Sequence, residues 1–311
     1  MGAPRVRKPG GDGESGVKEA IGSVRGGHLA MLAFSALVAG SFSLGGQVAD
    51  ELAPTALNAV RFAIAAAIMG AFVFARGGVP KAALQAPWRY GVLGGIFAFY
   101  FVLMFEGLKT APPVSAAAVF TLTPVLSAVF GWFLLRQVVS ARIAGALLIG
   151  ALGAAWVIFR ADFGALMAFE IGRGEAIYFV GCVGHALYTP MVRVLNRGEA
   201  VLVFSFLTLV ACAGVITIWG IGDIAATDWA ALRPLVWITI AYTAVFASAA
   251  TVFLIQFASL RLPSSKVMAY TYLTPSWVIL WEIALGQPVP GALVLGGVGL
   301  TVLALAMLLK D

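Results

Sequence analysis

Long apolar runs, broken at intervals by short polar or Gly/Pro-containing segments, set the pattern of this chain. They fall at about 28–46, 54–75, 89–108, 113–135, 141–159, 175–195, 200–220, 234–257, 264–285 and 289–309. Each approaches the roughly 20 apolar residues that an α-helix needs to cross a bilayer core of about 30 Å. None has the strict alternation of a spanning β-strand. The pattern predicts an all-α integral membrane fold of ten transmembrane helices, whose short connections make sequential helices antiparallel. Residues 1–27 are Gly-rich and mixed in charge, with nothing to build a core from, and are expected to form a disordered tail. Ala39-Gly40-Ser41 in the first run resembles a leader cleavage site. The long polar tail before it and the many spans after it favour a retained helix.

Composition strengthens this reading. Of 311 residues 61% are apolar and 11% charged, with mean hydropathy +0.98; an ordinary soluble domain carries about 25% charge. So few charged groups cannot cover a water-exposed surface, so the lipid bilayer must be a partner. The net charge of +6 and pI near 9.5 suggest a nucleic-acid binder only until the charges are placed. Arg5, Arg7, Lys8, Lys18 and Arg25 precede the first run, and Arg76, Lys81, Arg89, Arg136, Arg142, Arg193, Arg197, Arg261 and Lys310 follow on the same side if the runs alternate in direction. The other side holds Lys109, Arg160, Arg173 and Arg233. The positive-inside rule then puts both termini in the cytoplasm, and no nucleic acid is expected. Cys182 and Cys212 lie inside apolar runs as small hydrophobes, with no ligand spacing around them.

The chain also repeats itself. Sliding Leu122-Thr123-Pro124 onto Leu273-Thr274-Pro275 pairs Pro112 with Pro263, Val138 with Val289 and Gly145 with Gly296, without a gap. Five spans per copy is an odd number, so the copies, 28–160 and 161–311, would lie in opposite orientation. Inverted repeats are how many carriers open one central site to each side in turn. Ten helices in such a repeat suffice for a carrier, and a monomer is expected.

With these motifs the chain resembles the EamA-type branch of the drug/metabolite transporter superfamily. The likeness extends over nearly all of 28–309. It rests on Arg61-Phe62, on Leu122-Thr123-Pro124 followed by Val125-Leu126-Ser127-Ala128, and on Leu273-Thr274-Pro275 followed by Leu285-Gly286-Gln287-Pro288. Members often carry Glu where this chain has Gln287, and the repeat-mate is Arg136, so a mechanism using a carboxylate there lacks its group. The resemblance implies a multi-pass carrier in the cytoplasmic (inner) membrane, commonly an exporter of amino acids, related metabolites or drugs.

Polar residues at membrane depth are the candidate site, since a charge at a helix centre costs about 2.5–3.5 kcal/mol on insertion scales. Arg61, one turn beyond Asn58, can hold a carboxylate bidentately or pin helices through backbone carbonyls. Lys266, Tyr270, Thr274 and Trp277 recur at helical spacing, leading on to Trp281, and read as a cavity wall or as helix packing. Pro124 and Pro275 each free a carbonyl in the preceding turn, for which Thr123, Thr274 or a solute is a partner, and they mark candidate hinges. His185 can take a proton or bond a neighbouring helix; Tyr188 stands beside it. Tyr100, Gln256 and Gln47 can add hydrogen bonds, whereas Glu106 and Glu282 read as rim residues. The substrate class that fits is a small molecule with a carboxylate and an apolar body, a lipophilic cation or drug being the alternative. An intramembrane enzyme lacks HExxH, GxSxG and GxxxxGK[ST] motifs and has only His28 and His185 to work with. No metal or cofactor is therefore expected. A channel would want a ring of carbonyls or charges, usually made by oligomeric symmetry.

Overall fold

The computed structural model describes residues 12–168 and 170–309, with side chains from Val24 onward. Among these the chain is helical, without strands. α1 (Asp12–Val48), α2 (Pro54–Ala75) and α3 (Trp88–Leu108) are followed by α4 (Pro113–Phe120) and α5 (Thr123–Leu135), which form one interrupted rod. Then come α6 (Ala141–Ile158), the short α7 (Phe163–Ala168), α8 (Arg173–Leu195), α9 (Val201–Trp219) and the short α10 (Ile221–Ala226). α11 (Pro234–Ala244) runs through a π-helical turn, Val245–Ala250, into α12 (Thr251–Ser259). α13 (Ser264–Ala269), a 3₁₀ turn at Tyr270–Leu273 and α14 (Thr274–Ala284) form a second interrupted rod before α15 (Ala292–Leu309). Of the tail expected over 1–27, residues 1–11 lie outside the described residues, and α1 already begins at Asp12.

Eight of the ten expected segments are helices long and apolar enough to cross a membrane. The other two are α8, whose hydropathy is diluted by His185, Thr189, Pro190 and two tyrosines, and the rod Ser264–Ala284, split by its 3₁₀ turn.

The interruptions have a local cause. Pro124 and Pro275 each sit in the first turn of the resumed helix, where a missing N–H costs nothing. At both candidate hinges the helix stops and starts again. At the first break Pro124 cannot donate to the carbonyl of Phe120, and the Thr123 hydroxyl does so instead at 2.7 Å. At the second, Thr301 of α15 donates to the carbonyl of Tyr272 at 2.9 Å, while the Thr274 hydroxyl is buried without a partner. α4 packs on α14 and α5 on α13, so the two rods cross at their breaks, where the Thr123 and Thr271 hydroxyls lie 3.3 Å apart.

The remaining helices enclose this crossing. α3 packs on α8 and α9, α2 on α9, and α1 on α12 and α14, with α6 against α15 on the flank. The last contact is made by glycines: a Cβ on Gly153 would lie 2.6 Å from the carbonyl of Gly297. Gly145 and Gly296, the pair singled out by the repeat, face open space. Gly153→Ala is therefore expected to destabilise the protein by about 1–3 kcal/mol through overpacking. Gly145→Ala is expected to stabilise it by up to about 1 kcal/mol by favouring the helix. Thermal unfolding of both purified variants in one detergent checks the difference in sign.

Polar links tie the helix ends together. At one end Arg89 donates to the Leu195 carbonyl at 2.6 Å and to Glu199 at 2.5 Å, and Arg193 donates to the carbonyls of Ser259 and Leu262 at 2.6 and 3.0 Å. Gln137 accepts from the Ser264 N–H at 3.0 Å, so this end also carries Arg76, Lys81, Arg136, Arg142, Arg197 and Arg261. It is the basic end. Burial alone would raise the Glu199 carboxyl, but Arg89 and the Arg197 N–H outweigh it and hold it below the usual carboxylate range. At the opposite end Arg233 pairs with Glu51, Thr55 donates to Asp223, and Ser115 donates to the buried Glu175 at 2.8 Å.

Candidate functional site

Arg61 is wholly buried on α2, and among the described residues no carboxylate pairs with it. Its Nε donates to Ser248 Oγ at 2.7 Å, one terminal nitrogen donates to the Ala247 carbonyl at 2.8 Å, and the other reaches Asn58 Oδ1 at 3.3 Å. Both Ala247 and Ser248 belong to the π turn, where the wider ladder turns backbone groups out of their usual pairing. Asn58 in turn donates to the carbonyls of Pro54 and Phe101, at 2.8 and 3.3 Å. The guanidinium carbon lies 4.1 Å from the centre of the Phe101 ring, a cation–π contact that offsets part of the cost of burial. The guanidinium fork is thus engaged by acceptors of the protein.

From Phe101 an aromatic body runs inward to His185. Tyr100, next in sequence, has its ring 4.3 Å from the imidazole; Phe120 is at 5.1 Å, Phe97 at 5.6 Å and Phe34 at 6.5 Å. Phe120 is the last residue of α4, so the helix break sets where this ring stands. The Tyr100 and Tyr178 hydroxyls share a hydrogen bond of 2.8 Å. Within this shell His185 is 1% exposed, and its Nδ1 has no partner. One turn along α8, the hydroxyl of Thr189 is likewise buried and unpartnered. Two unmet polar groups on one helix face are costly unless something satisfies them in the working cycle.

Gln256 is placed differently. Its amide donates to the Tyr188 hydroxyl at 2.7 Å and to Thr208 at 3.2 Å, and its carbonyl accepts from Ser205 at 2.5 Å. It is satisfied within the protein and holds α8, α9 and α12 together. Tyr188 spends its hydroxyl there and lays its ring 4.0 Å from that of Phe97.

The stripe expected along Lys266, Tyr270, Thr274 and Trp277 runs through the 3₁₀ turn at Tyr270–Leu273. Two of its members, Tyr270 and Trp277, meet α1. The Tyr270 hydroxyl lies 3.0 Å from His28 Nδ1, and Trp277 Nε1 donates to Ser35 Oγ at 3.2 Å. The two pairs keep the same spacing on both partners, as two parallel helices in register do. Lys266 is half-buried near the basic end, and Trp281 packs edge-on to Tyr242 at 5.4 Å. Glu106 pairs with Lys109 at 2.6 Å.

The structure thus gathers Asn58, Arg61, Tyr100, His185, Tyr188 and Gln256 into one buried body, with Thr123, Thr274, Pro124 and Pro275 at the breaks beside it. Tyr270, Lys266 and Trp277 stand along a neighbouring seam. Sequence reasoning passed over Thr189, Thr271, Phe97, Phe120, His28 and Ser35. Thr189 was within reach, one helical turn from His185; the others depend on where the helices cross.

Residues 25–159 match the model of the EamA-like transporter family. Over 274 residues the chain is 26% identical to an uncharacterized transporter, YyaM, of Bacillus subtilis (strain 168), covering 87% of this chain and 90% of that one. Over 125 residues it is 36% identical to the aromatic amino acid exporter YddG of Ancylobacter novellus, covering 39% of this chain and 41% of that one. A solved crystal structure shares the fold, with a TM-score of 0.69 at 22% identity over 93% of this chain and 96% of the other.

Proposed function

We propose that this chain, which the EamA-like transporter family model matches over residues 25–159, is a transporter of that kind and exports amino acids or related small metabolites by alternating access. On this reading α8 and the rod Ser264–Ala284 are the sixth and ninth of ten spans. Residues 28–160 and 161–311 are then two inverted halves, and the basic end faces the cytoplasm of the inner membrane. The packing supports the exchange of halves: α3 lies on α8 as α11 and α12 lie on α1, α2 faces α9, and α6 faces α15.

The observation that carries the proposal is the crossing of two interrupted helices at Thr123 and Thr271. Beside it stand buried aromatic rings and the unmet His185, Thr189 and Thr274. Interrupted helices at a repeat interface are where carriers place their sites, since backbone and side-chain polar groups there are free for a solute. Aromatic rings with a few convergent polar groups suit a solute with a flat apolar body and a polar head. An aromatic amino acid has that form, and the relative named for exporting such compounds points the same way.

Counter-flow in proteoliposomes tests it. Labelled phenylalanine or tryptophan is expected to enter saturably, faster when the vesicles are preloaded with the unlabelled compound. Thr189→Val combined with Thr274→Val is expected to slow this at least about tenfold, the loss of roughly 1.4 kcal/mol of binding or barrier energy. Linear flux without exchange would instead indicate a channel.

A further inference from the structure

On the outer surface of the bundle, α2, α9 and the π turn leave a groove of about 350 Å³. It is lined by Phe72 of α2, Phe253 of α12 and Val245, Ala249 and Ala250 of the π turn, of which Ala249 is the buried one. The dent has a cause in the chain: small alanines stand in the turn where a wider ladder displaces the helix face, opposite large side chains. Its walls are almost wholly apolar, and both α2 and the rod Pro234–Ser259 are membrane-crossing by length and composition. One end lies at the depth of the π turn, and the other opens at the basic end, where Arg76 caps α2. Arg76 is exposed, and no described side chain pairs with its guanidinium.

We propose that this groove is a binding site for one anionic phospholipid of the leaflet at the basic end, its acyl chain on Ala249 and Ala250 and its phosphate on Arg76. Charge and depth select this occupant. An apolar trough at hydrocarbon depth takes an alkyl chain, and a guanidinium at the interface takes a phosphate through paired N–H donors. A soluble anion has no use for the trough, and a zwitterionic lipid gains less from a lone arginine. The site is separate from the solute centre, but it is lined in part by the turn that Arg61 holds from the inner side, so the bound chain and Arg61 grip the same backbone from opposite faces.

Native mass spectrometry of the purified full chain tests this without reference to transport, so its failure and that of the transport reading are distinguishable. With equal amounts of phosphatidylglycerol and phosphatidylcholine, the parent protein is expected to retain the anionic lipid about fivefold better, the worth of one interfacial basic residue. Arg76→Gln is expected to abolish that preference while still binding both lipids weakly. Ala250→Phe, which fills the trough and keeps the charge, is expected to reduce retention of both. Equal retention by the parent, or a preference untouched by either variant, overturns the proposal. Displacement of the anionic lipid by millimolar inorganic phosphate would overturn it too, by showing a site for a free anion.

Discussion

Arg61→Ala is expected to lower the stability of the folded protein by about 2–4 kcal/mol, because it strips donors from three buried acceptors, Ala247 O, Ser248 Oγ and Asn58 Oδ1. Individual polar contacts in membranes average only about 0.6 kcal/mol, so the bonds alone do not reach that figure. Two further terms do: the orphaned acceptors at membrane depth, and the void left by a large side chain against Phe62, Phe101 and Phe105. The cost of holding a charge in the bilayer does not offset them, since an unfolded chain still inserted as helices carries the same charge. Arg61→Lys is expected to recover less than half, because a point charge cannot span acceptors that the guanidinium fork joins. Unfolding of the purified variants in detergent, with and without saturating solute, reads the effect. If Arg61→Ala is as stable as the parent and only its KM for transport rises, Arg61 is a solute ligand and the strut reading fails.

His185→Phe is expected to move stability the other way. The imidazole sits among Phe34, Phe97, Tyr100 and Phe120 with Nδ1 unmet, and a phenyl ring fits the same shell without a polar atom to satisfy. Removing an unpaired buried polar group is worth about 1–2 kcal/mol, from which the somewhat larger phenyl ring takes back a part through tighter packing. Transport is expected to fall at least about tenfold in the same variant, a loss of stabilisation on the order of 1.4 kcal/mol. The pairing of gain and loss is the point. A merely structural histidine would give stabilisation with transport intact, and a histidine held by hydrogen bonds would give destabilisation. His185→Asn, which keeps a polar group but leaves space, separates loss of ring packing from loss of the polar atom.

Much of this molecule was legible before any coordinates. The apolar runs marked the helices because hydrocarbon leaves backbone groups no partner outside a helix, so length and hydropathy alone place α2, α3, α6, α9 and α15 closely. Two of the three Thr-Pro pairs stand at discontinuities, whereas Thr189-Pro190 lies inside the continuous α8, so a lost donor alone did not say which proline ends a helix. Even the partner of the freed Phe120 carbonyl, Thr123, was a local matter. The stripe through Tyr270 and Trp277 was legible as one face, but which helix that face meets, α1, was not.

What local pattern cannot encode is which faces meet. That Arg61 grips the π turn of a helix almost two hundred residues away depends on how α2 packs against α11 and its continuation. That Gly153 rather than Gly145 touches α15 depends on the rotation of α6 about its axis. The sequence by itself determined the class of molecule and its membrane setting, because both follow from the free energy of single residues in water or hydrocarbon. Only the tertiary structure decided which polar groups are spent on the fold, as in Gln256 and Arg61, and which are left unmet, as in His185, Thr189 and Thr274. Hydrogen-bond satisfaction belongs to pairs of groups brought together by packing, and no residue carries it alone.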